Sequence, residues 1–384
     1  MRAVLASLPS VIVLSLLGPV GAVGLSGLAG CGDDGGVAAD RSVEAAGAYP
    51  VGIASVTLTD AARTRSLPTL VFYPAVPPTA PAAGLTVEQL EDEPHRAAYV
   101  GLLDAAPAGC PTRGLDAALG GDAAAGRFPL VMVSHCHECT RFSTATIAIR
   151  LASHGFVVAA VDHTGNTLWN QLAGDGAPLD AAFLAVRAAD IRFALGELTR
   201  AGGPVPAPLQ AAIDPARVGV LGHSFGAVTA GVVVQDDPRV AAGFALAAPM
   251  ENPLLPGVTI TTIAKPLGFL VATEDNSITE LGNQFIRNNF DAAIGPAWKI
   301  EVADAGHWSI SDLVGVVPGF MAGCGAGTRQ TDGQPFTYAA PAPTRSLAAA
   351  YVTAFFKATL TDDAGARAYL TAPRADGAAT VAGR

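Results

Sequence analysis

The chain is short of charge. Of its 384 residues only 15% are Asp, Glu, Lys or Arg, and acids outnumber bases 33 to 23, for a formal net charge of −10. A surface of that sign has no electrostatic attraction for nucleic acid, so a nucleic-acid-binding role is excluded on charge. Five cysteines are too few to hold a chain of this length together in place of a core. Histidine is scarce, at seven residues. No internal repeat is visible, which excludes a solenoid or a propeller. What is abundant is apolar residue, at 50%, with 43 glycines and 28 prolines for the loops. Length and apolar content suffice for one large α/β domain with a sizeable core.

One stretch organises the rest: Arg217-Val218-Gly219-Val220-Leu221-Gly222-His223-Ser224-Phe225-Gly226-Ala227. The apolar run 218–221 reads as a buried strand. Gly222-His223-Ser224-Phe225-Gly226 fits Gly-x-Ser-x-Gly, and the small and apolar residues 227–234 suit a buried helix. Strand, tight turn and helix are the context of a nucleophile elbow. A serine on that turn carries its hydroxyl clear of the backbone. The flanking glycines remove side chains that would clash there. The first helical N–H groups point back at the serine, where they stabilise an oxyanion.

Residues 1–30 carry one charge, Arg2, and read as a signal peptide. Leu28-Ala29-Gly30-Cys31 resembles the bacterial lipobox, which implies lipidation of Cys31 and a protein exported and lipid-anchored to a bacterial membrane, at the periplasmic face or the cell surface. An ordinary signal peptide or an uncleaved anchor helix would export the domain just as well. Residues 31–49 read as a flexible tether and 361–384 as a C-terminal tail. Between them, 50–360 form the domain, with 76–127 as an irregular insertion. Strands are predicted over 53–58 and 70–73 (an antiparallel pair), 128–134, 156–161, 240–246, 267–271 and 297–302. Helices are predicted over 142–154, from the cap Asp180 to 200, over 278–290 and over 347–360. Strands that alternate with helices give a mostly parallel central sheet with helices on both faces, and with the elbow this is the α/β-hydrolase fold.

The elbow serine needs a base and an orienting acid, which in this architecture follow it in the order Ser, Asp, His at the ends of later strands. Asp275 follows the strand 267–271, and His307, in Gly306-His307-Trp308, follows the strand 297–302. His307 is the only histidine C-terminal to Ser224. It takes the proton from the Ser224 hydroxyl and returns it to the leaving alcohol, and Asp275 holds the imidazole in the right tautomer. Glu274 is the alternative acid. One oxyanion donor is the N–H of Phe225, and the other comes from the turn Ser134-His135-Cys136-His137. His223 and His163 read as structural, and Asp190 as a local cap or partner on its helix. Trp169 and Trp308 are candidates to line the substrate cleft.

Val133-Ser134-His135, the phrase Leu151-Ala152-Ser153-His154-Gly155-Phe156-Val157-Val158-Ala159-Ala160-Val161-Asp162-His163, the elbow and Ala305-Gly306-His307-Trp308-Ser309 together resemble the platelet-activating-factor acetylhydrolase-like branch of the α/β-hydrolases. They are also similar to dienelactone hydrolases and bacterial polyester hydrolases. The resemblance covers roughly residues 50–360. It implies an esterase with no metal and no cofactor, and it implies the backbone N–H of His137 as the second oxyanion donor. Two departures stand out. Cys136 and Glu138-Cys139 occupy positions where many relatives carry glycine. The animal acetylhydrolases place their acid after the strand that follows the elbow helix, and that strand here ends Leu246-Ala247-Ala248. Asp275 matches the relatives that use the next strand.

After lipidation of Cys31, Cys110, Cys136, Cys139 and Cys324 remain, an even number in an exported chain, which suggests disulfides. Of the three pairings, Cys136–Cys139 with Cys110–Cys324 is one; the sequence does not choose. His135-Cys136-His137-Glu138-Cys139 also reads as a zinc site, but one turn rarely supplies four tetrahedral ligands, and no metal is expected. The expectation is an exported hydrolase of carboxylic esters, its substrate a small-molecule or lipid ester of short-chain or phospholipid type, its membrane contact the anchor at Cys31. Two alternatives stand: a polyester (cutinase-like) hydrolase, and a non-catalytic surface lipoprotein that uses the fold for binding.

Overall fold

Fourteen strands and nine helices follow each other in the computed structural model, which describes residues 37–77 and 84–384. The signal peptide and Cys31 lie outside the described residues. The chain opens with an antiparallel pair, β1 (Val51–Asp60) and β2 (Arg65–Pro74). The insertion then supplies β3 (Leu85–Thr86), α1 (His95–Ala105), β4 (Gly114–Leu115) and β5 (Ala118–Leu119). Next come β6 (Phe128–Ser134), α2 (Ala145–Ser153), β7 (Val157–Val161), α3 (Leu168–Ala173), α4 (Ala181–Thr199) and α5 (Ala207–Ala212). The second half holds β8 (Ile213–His223), α6 (Phe225–Asp236), β9 (Val240–Leu246), β10 (Leu267–Ala272), α7 (Thr279–Ala292) and β11 (Ala297–Val302). The hairpin β12 (Ala326–Thr328) and β13 (Pro335–Thr337), α8 (Pro341–Leu360), α9 (Ala364–Tyr369) and β14 (Ala379–Gly383) complete it.

Ten strands make one sheet in the order β14-β11-β10-β9-β8-β6-β7-β2-β1-β5. Its centre, from β11 to β7, is parallel, and β2, β1 and β14 add antiparallel pairings at the two sides. Alternation along β6 shows how the two faces are built. Val131 and Val133 point to the face covered by α2 and α8, Leu130 and Met132 to the face covered by α4, α6 and α7. Both faces are apolar because both are covered, as a parallel sheet requires. Phe355 and Phe356 of α8 and Ile191 and Leu195 of α4 are fully buried, each contributing about 2 kcal/mol by burial. Asp180 caps α4, accepting from Phe183 N at 2.8 Å.

The boundaries differ from the sequence expectation in several places, among them the starts of α8 (Pro341 against 347) and β8 (Ile213 against 218). The tether is shorter than expected: Val43 is fully buried, Asp40 pairs with Lys357 at 2.6 Å, and Arg150 donates to Val43 O at 2.7 Å. The C-terminal tail is part of the domain, since β14 pairs antiparallel with β11 from Trp298–Gly383 to Val302–Ala379. Both segments carry too few apolar residues for a periodic signal, and long-range pairing orders them. The loop after β7 contains α3, and α2 starts at Ala145, three residues later than the apolar pattern indicates. Among the described residues no helix is long and apolar enough to cross a membrane.

Candidate active site

β8 runs straight into α6 through Ser224, whose backbone sits at φ 56°, ψ −120°. This conformation is costly for a residue with a side chain, and the surroundings enforce it. A Cβ on Gly222 would lie 1.8 Å from Gly226 O, and one on Gly226 would lie 2.0 Å from Ser134 O. Both motif glycines are therefore required by close backbone approach, one within the elbow and one against the neighbouring strand β6. Ser224 N donates to Leu246 O at 3.0 Å, which ties the turn to β9.

Asp275 and His307 meet beside it. His307 Nδ1 lies 2.7 Å from Asp275 Oδ2. The other carboxylate oxygen accepts from Ser277 N at 2.9 Å and Ile278 N at 3.0 Å, so the acid is held on both sides. Both residues are almost completely buried. With its Nδ1–H given to the carboxylate, the neutral imidazole keeps Nε2 as its basic nitrogen. The loop carrying His307 is tied to the elbow directly, because His223 Nε2 donates to His307 O at 3.1 Å. Burial, with His307 nearby, holds the His223 imidazole well below its usual value, so it is neutral and Nε2 carries the proton. Glu274 turns elsewhere: it pairs with Arg329 at 2.8 Å and accepts from Gln330 N at 2.9 Å. The geometry selects Asp275 over Glu274.

Phe225 is the first residue of α6, and its N–H donates to no protein acceptor among the described residues. The same holds for the His137 N–H, in the turn after β6. That turn solves its lack of glycine in two ways. Glu138 takes the left-handed conformation, φ 54°, and a disulfide joins Cys136 to Cys139 across it. Cys139 O accepts from Leu168 N at 2.9 Å, which fastens the turn to α3. The second disulfide, Cys110–Cys324, links the insertion to the segment after His307. With these cysteines bonded to each other, and with His135 Nδ1 on Cys136 O (2.7 Å) and Nε2 accepting from His163 N (3.0 Å), the donor set of a zinc site is not assembled in this turn.

A cavity of about 410 Å³ opens beside Ser224, lined by Phe225, Val228, Leu255, Ile278 and Phe285 among others, with no charged residue. Neither expected tryptophan lines it. Trp308 stacks on Phe320, ring centres 3.8 Å apart, and is buried. Trp169 stacks on His95 and donates to Glu91 Oε1, beside a separate cavity of about 460 Å³. Adjacency in sequence to a site residue was the only guide to Trp308, and the chain turns between them. The cleft-lining Leu254, Leu281 and Phe285 come instead from the β9–β10 connection and α7.

This order of elements, with a strained serine between β8 and α6 and an Asp–His pair after the ends of β10 and β11, decides the fold. The chain has the α/β-hydrolase fold. The ferulic acid esterase structure from Streptomyces cinnamoneus superposes with a TM-score of 0.65 at 24% identity, over 87% of this chain and 96% of that one. The model of the family described as platelet-activating factor acetylhydrolase, isoform II, matches residues 117–170. Those residues hold β6, the turn after it, α2 and β7. The platelet-activating factor acetylhydrolase of Bos taurus is 30% identical over 154 residues, 31% of this chain and 35% of that protein. That of Canis lupus familiaris is 28% identical over 180 residues, 38% of this chain and 40% of that protein. In sequence the chain is similar to these acetylhydrolases over that region, and it spans 35–40% of the length of these two curated relatives.

Sequence reasoning missed two side chains here and gave a third, Asp190, only a local role. Asn166 and Arg187 are buried beneath the turn after β6, and Asp190 is buried behind them. One signal was present: Arg187 stands three residues after Leu184 and four before Ile191, on the apolar stripe of α4. Asp190, expected to pair locally, instead binds Arg63 at 2.8 Å and Arg65 at 2.7 Å, far away in sequence.

Proposed function

We propose that the protein is an exported serine hydrolase of carboxylic esters. The observation that carries this reading is the 2.7 Å His307–Asp275 hydrogen bond beside an elbow serine at φ 56°. Ser224 Oγ attacks the ester carbonyl carbon while its proton passes to His307 Nε2. The carbonyl π pair moves onto oxygen, where the Phe225 and His137 N–H groups stabilise it. Collapse breaks the C–O bond to the alcohol, which leaves with the proton from His307. Water then repeats the sequence on the acyl-enzyme and releases the acid. The Asp275 carboxylate stabilises the imidazolium formed in each half.

The uncharged lining of the cavity supports an uncharged, apolar substrate group next to Ser224. Its rim carries Leu254, Leu281 and Leu179, which are 80%, 61% and 47% exposed. That rim favours a second reading within the same chemistry, a polyester or aggregated lipid ester presented as a surface. Export is supported by the two disulfides of the domain, which persist in oxidising compartments, and the anchor at Cys31 is the sequence reading carried forward.

Hydrolysis of p-nitrophenyl esters from acetate to palmitate tests the reading, with Ser224→Ala beside the native chain and a fluorophosphonate probe to label Ser224. Activity and labelling that vanish together in the variant are the expected result. A native chain that neither turns over the series nor takes the label would leave the fold serving as a binding protein.

A further inference from the structure

Arg187 is fully buried on α4, under the oxyanion turn. Burying a guanidinium is costly unless its donors are met; here both Nη groups are met, while Nε is buried without a partner. Nη1 donates to Asn166 Oδ1 at 2.6 Å. Nη2 donates to Ser134 Oγ at 3.2 Å and also to His135 O. Cζ lies 4.6 Å from the centre of the Phe225 ring, in cation–π range. Asn166 passes the contact on, with Nδ2 2.9 Å from His137 Nδ1. Asp190, three residues along the helix, is taken up by Arg63, Arg65 and His163.

The Ser134 hydroxyl is held from its other side by His163 Nε2 at 3.0 Å, and His163 Nδ1 faces Asp190 Oδ2 at 3.1 Å. Ser134, His163 and Asp190 thus repeat the connectivity of a catalytic triad. All three are fully buried, so no substrate reaches them, and the array serves as internal support.

We propose that Arg187 is a positioning residue for the oxyanion hole, one guanidinium holding both the turn that presents the His137 N–H and the ring of Phe225, whose N–H is the other donor. The proposal rests on the serine-esterase reading above. Every contact on the turn comes from the backbone or side chains of 134, 135 and, through Asn166, 137. Displacing the guanidinium therefore loosens the near side of a turn that the Cys136–Cys139 disulfide and the bond from Leu168 N to Cys139 O hold on its far side. The charge adds to the effect. Burial pulls the Arg187 guanidinium down to about 9, so it remains a cation at neutral pH. Its field favours the negative charge that grows on the substrate oxygen and favours the neutral ester much less. Such a residue acts on the transition state, and its loss appears in kcat rather than KM.

The test compares the native chain with Arg187→Met and Arg187→Lys on p-nitrophenyl acetate, with folding followed by circular dichroism. We expect kcat to fall roughly 30-fold or more in R187M and roughly tenfold in R187K, with KM within about threefold of the native value. Affinity for phenylboronic acid, which adds to Ser224 as a tetrahedral anion, is expected to fall in step with kcat. A folded variant with kcat within about twofold of native, or one whose loss lies in KM alone, overturns the proposal. Should R187M not fold, R187K keeps the charge and the bulk and decides on the same criteria. The two readings fail differently. A native chain that is inactive and unlabelled by fluorophosphonate removes the esterase reading and this proposal with it, whereas active native chain with undiminished Arg187 variants removes this proposal alone.

Discussion

The residue before Ser224 holds the carbonyl of His307: His223 Nε2 lies 3.1 Å from His307 O. Its ring packs against the His307 ring at 5.0 Å and edge-on to Trp308 at 5.8 Å. The elbow and the His307 loop are thereby one unit. His223→Leu keeps the bulk and removes the donor, leaving a buried carbonyl unmet. We expect a stability loss of about 1–3 kcal/mol and a fall in kcat of roughly tenfold as the imidazole of His307 drifts. Urea unfolding and steady-state kinetics on one preparation check both, and His223→Gln should recover part of each.

Asp275 and Glu274 are neighbours with separate partners, so their isosteric amides should behave differently. Asp275→Asn offers His307 a donor where an acceptor is needed and selects the wrong tautomer, and kcat should fall by roughly 10³-fold or more. Glu274→Gln weakens only the contacts to Arg329 and Gln330, and kcat should stay within about threefold. Equal losses in the two variants would mean that the acid has been misassigned.

The two disulfides should divide stability from catalysis. Cys110–Cys324 closes a separation of 214 residues, and Cys110→Ser with Cys324→Ser should cost about 2–5 kcal/mol in thermal or urea unfolding. Cys136–Cys139 spans three residues and constrains the unfolded chain little by comparison. Cys136→Ser with Cys139→Ser should lower kcat much more than stability, because the turn then keeps Glu138 at φ 54° without its brace. Unchanged kcat in that double variant would show the turn to be held by Arg187 and α3 alone.

Acid should destabilise the fold well above the carboxylate range. Burial, reinforced by the charge of Arg187, pushes the His163 imidazole down to about 4 and His135 well below its usual value. Burial and His307 do the same to His223. As pH falls below about 6.5 the unfolded chain protonates these rings and the folded chain does not. The unfolded state then binds more protons, so stability present above pH 6.5 is lost progressively toward the folded values. For His163 alone the loss by pH 5 is about 2 kcal/mol. Melting temperature recorded between pH 7.5 and 5 should fall by roughly 5 °C or more, and a flat profile would contradict the neutral, buried state of these rings.

The leucine rim should matter for long or surface-bound substrates and not for small ones. Leu254→Ser and Leu281→Ser change exposed side chains, so stability should move by less than about 0.5 kcal/mol. Turnover of p-nitrophenyl acetate should hold within about twofold, while that of dispersed palmitate or a polyester film should drop by roughly fivefold or more. A proportional loss on every substrate would place the rim in the catalytic cleft itself.

Much of this architecture is legible in one dimension because its signals are local. The run 218–221, the two motif glycines and the helix that follows declare the elbow. The close approaches of Gly222 and Gly226 show why no other residue type serves there. Strands β6, β7 and β10 are continuous apolar runs because both faces of a parallel sheet are covered. Chain order, strand ends and the scarcity of histidine single out Asp275 and His307 as candidates, and the fold brings the two side chains within 2.7 Å. These sequence signals depend on a residue's neighbours within a few positions.

The tertiary structure alone decided the rest. The choice of Asp275 over Glu274 depends on where Arg329 lies, 55 residues on. The cysteine pairing depends on the approach of the insertion to the segment after His307, and the ordering of 37–49 and 379–383 on contacts with α8 and β11. The bed of Arg187, Asn166, His163 and Asp190 joins the β7–α3 connection to α4, through contacts 21 and 27 positions apart in sequence. Apolar periodicity repeats along the chain and can be read from it. A buried polar network has no period: each donor is satisfied by whichever acceptor the fold brings within 3 Å, and in sequence such residues look like ordinary surface charge.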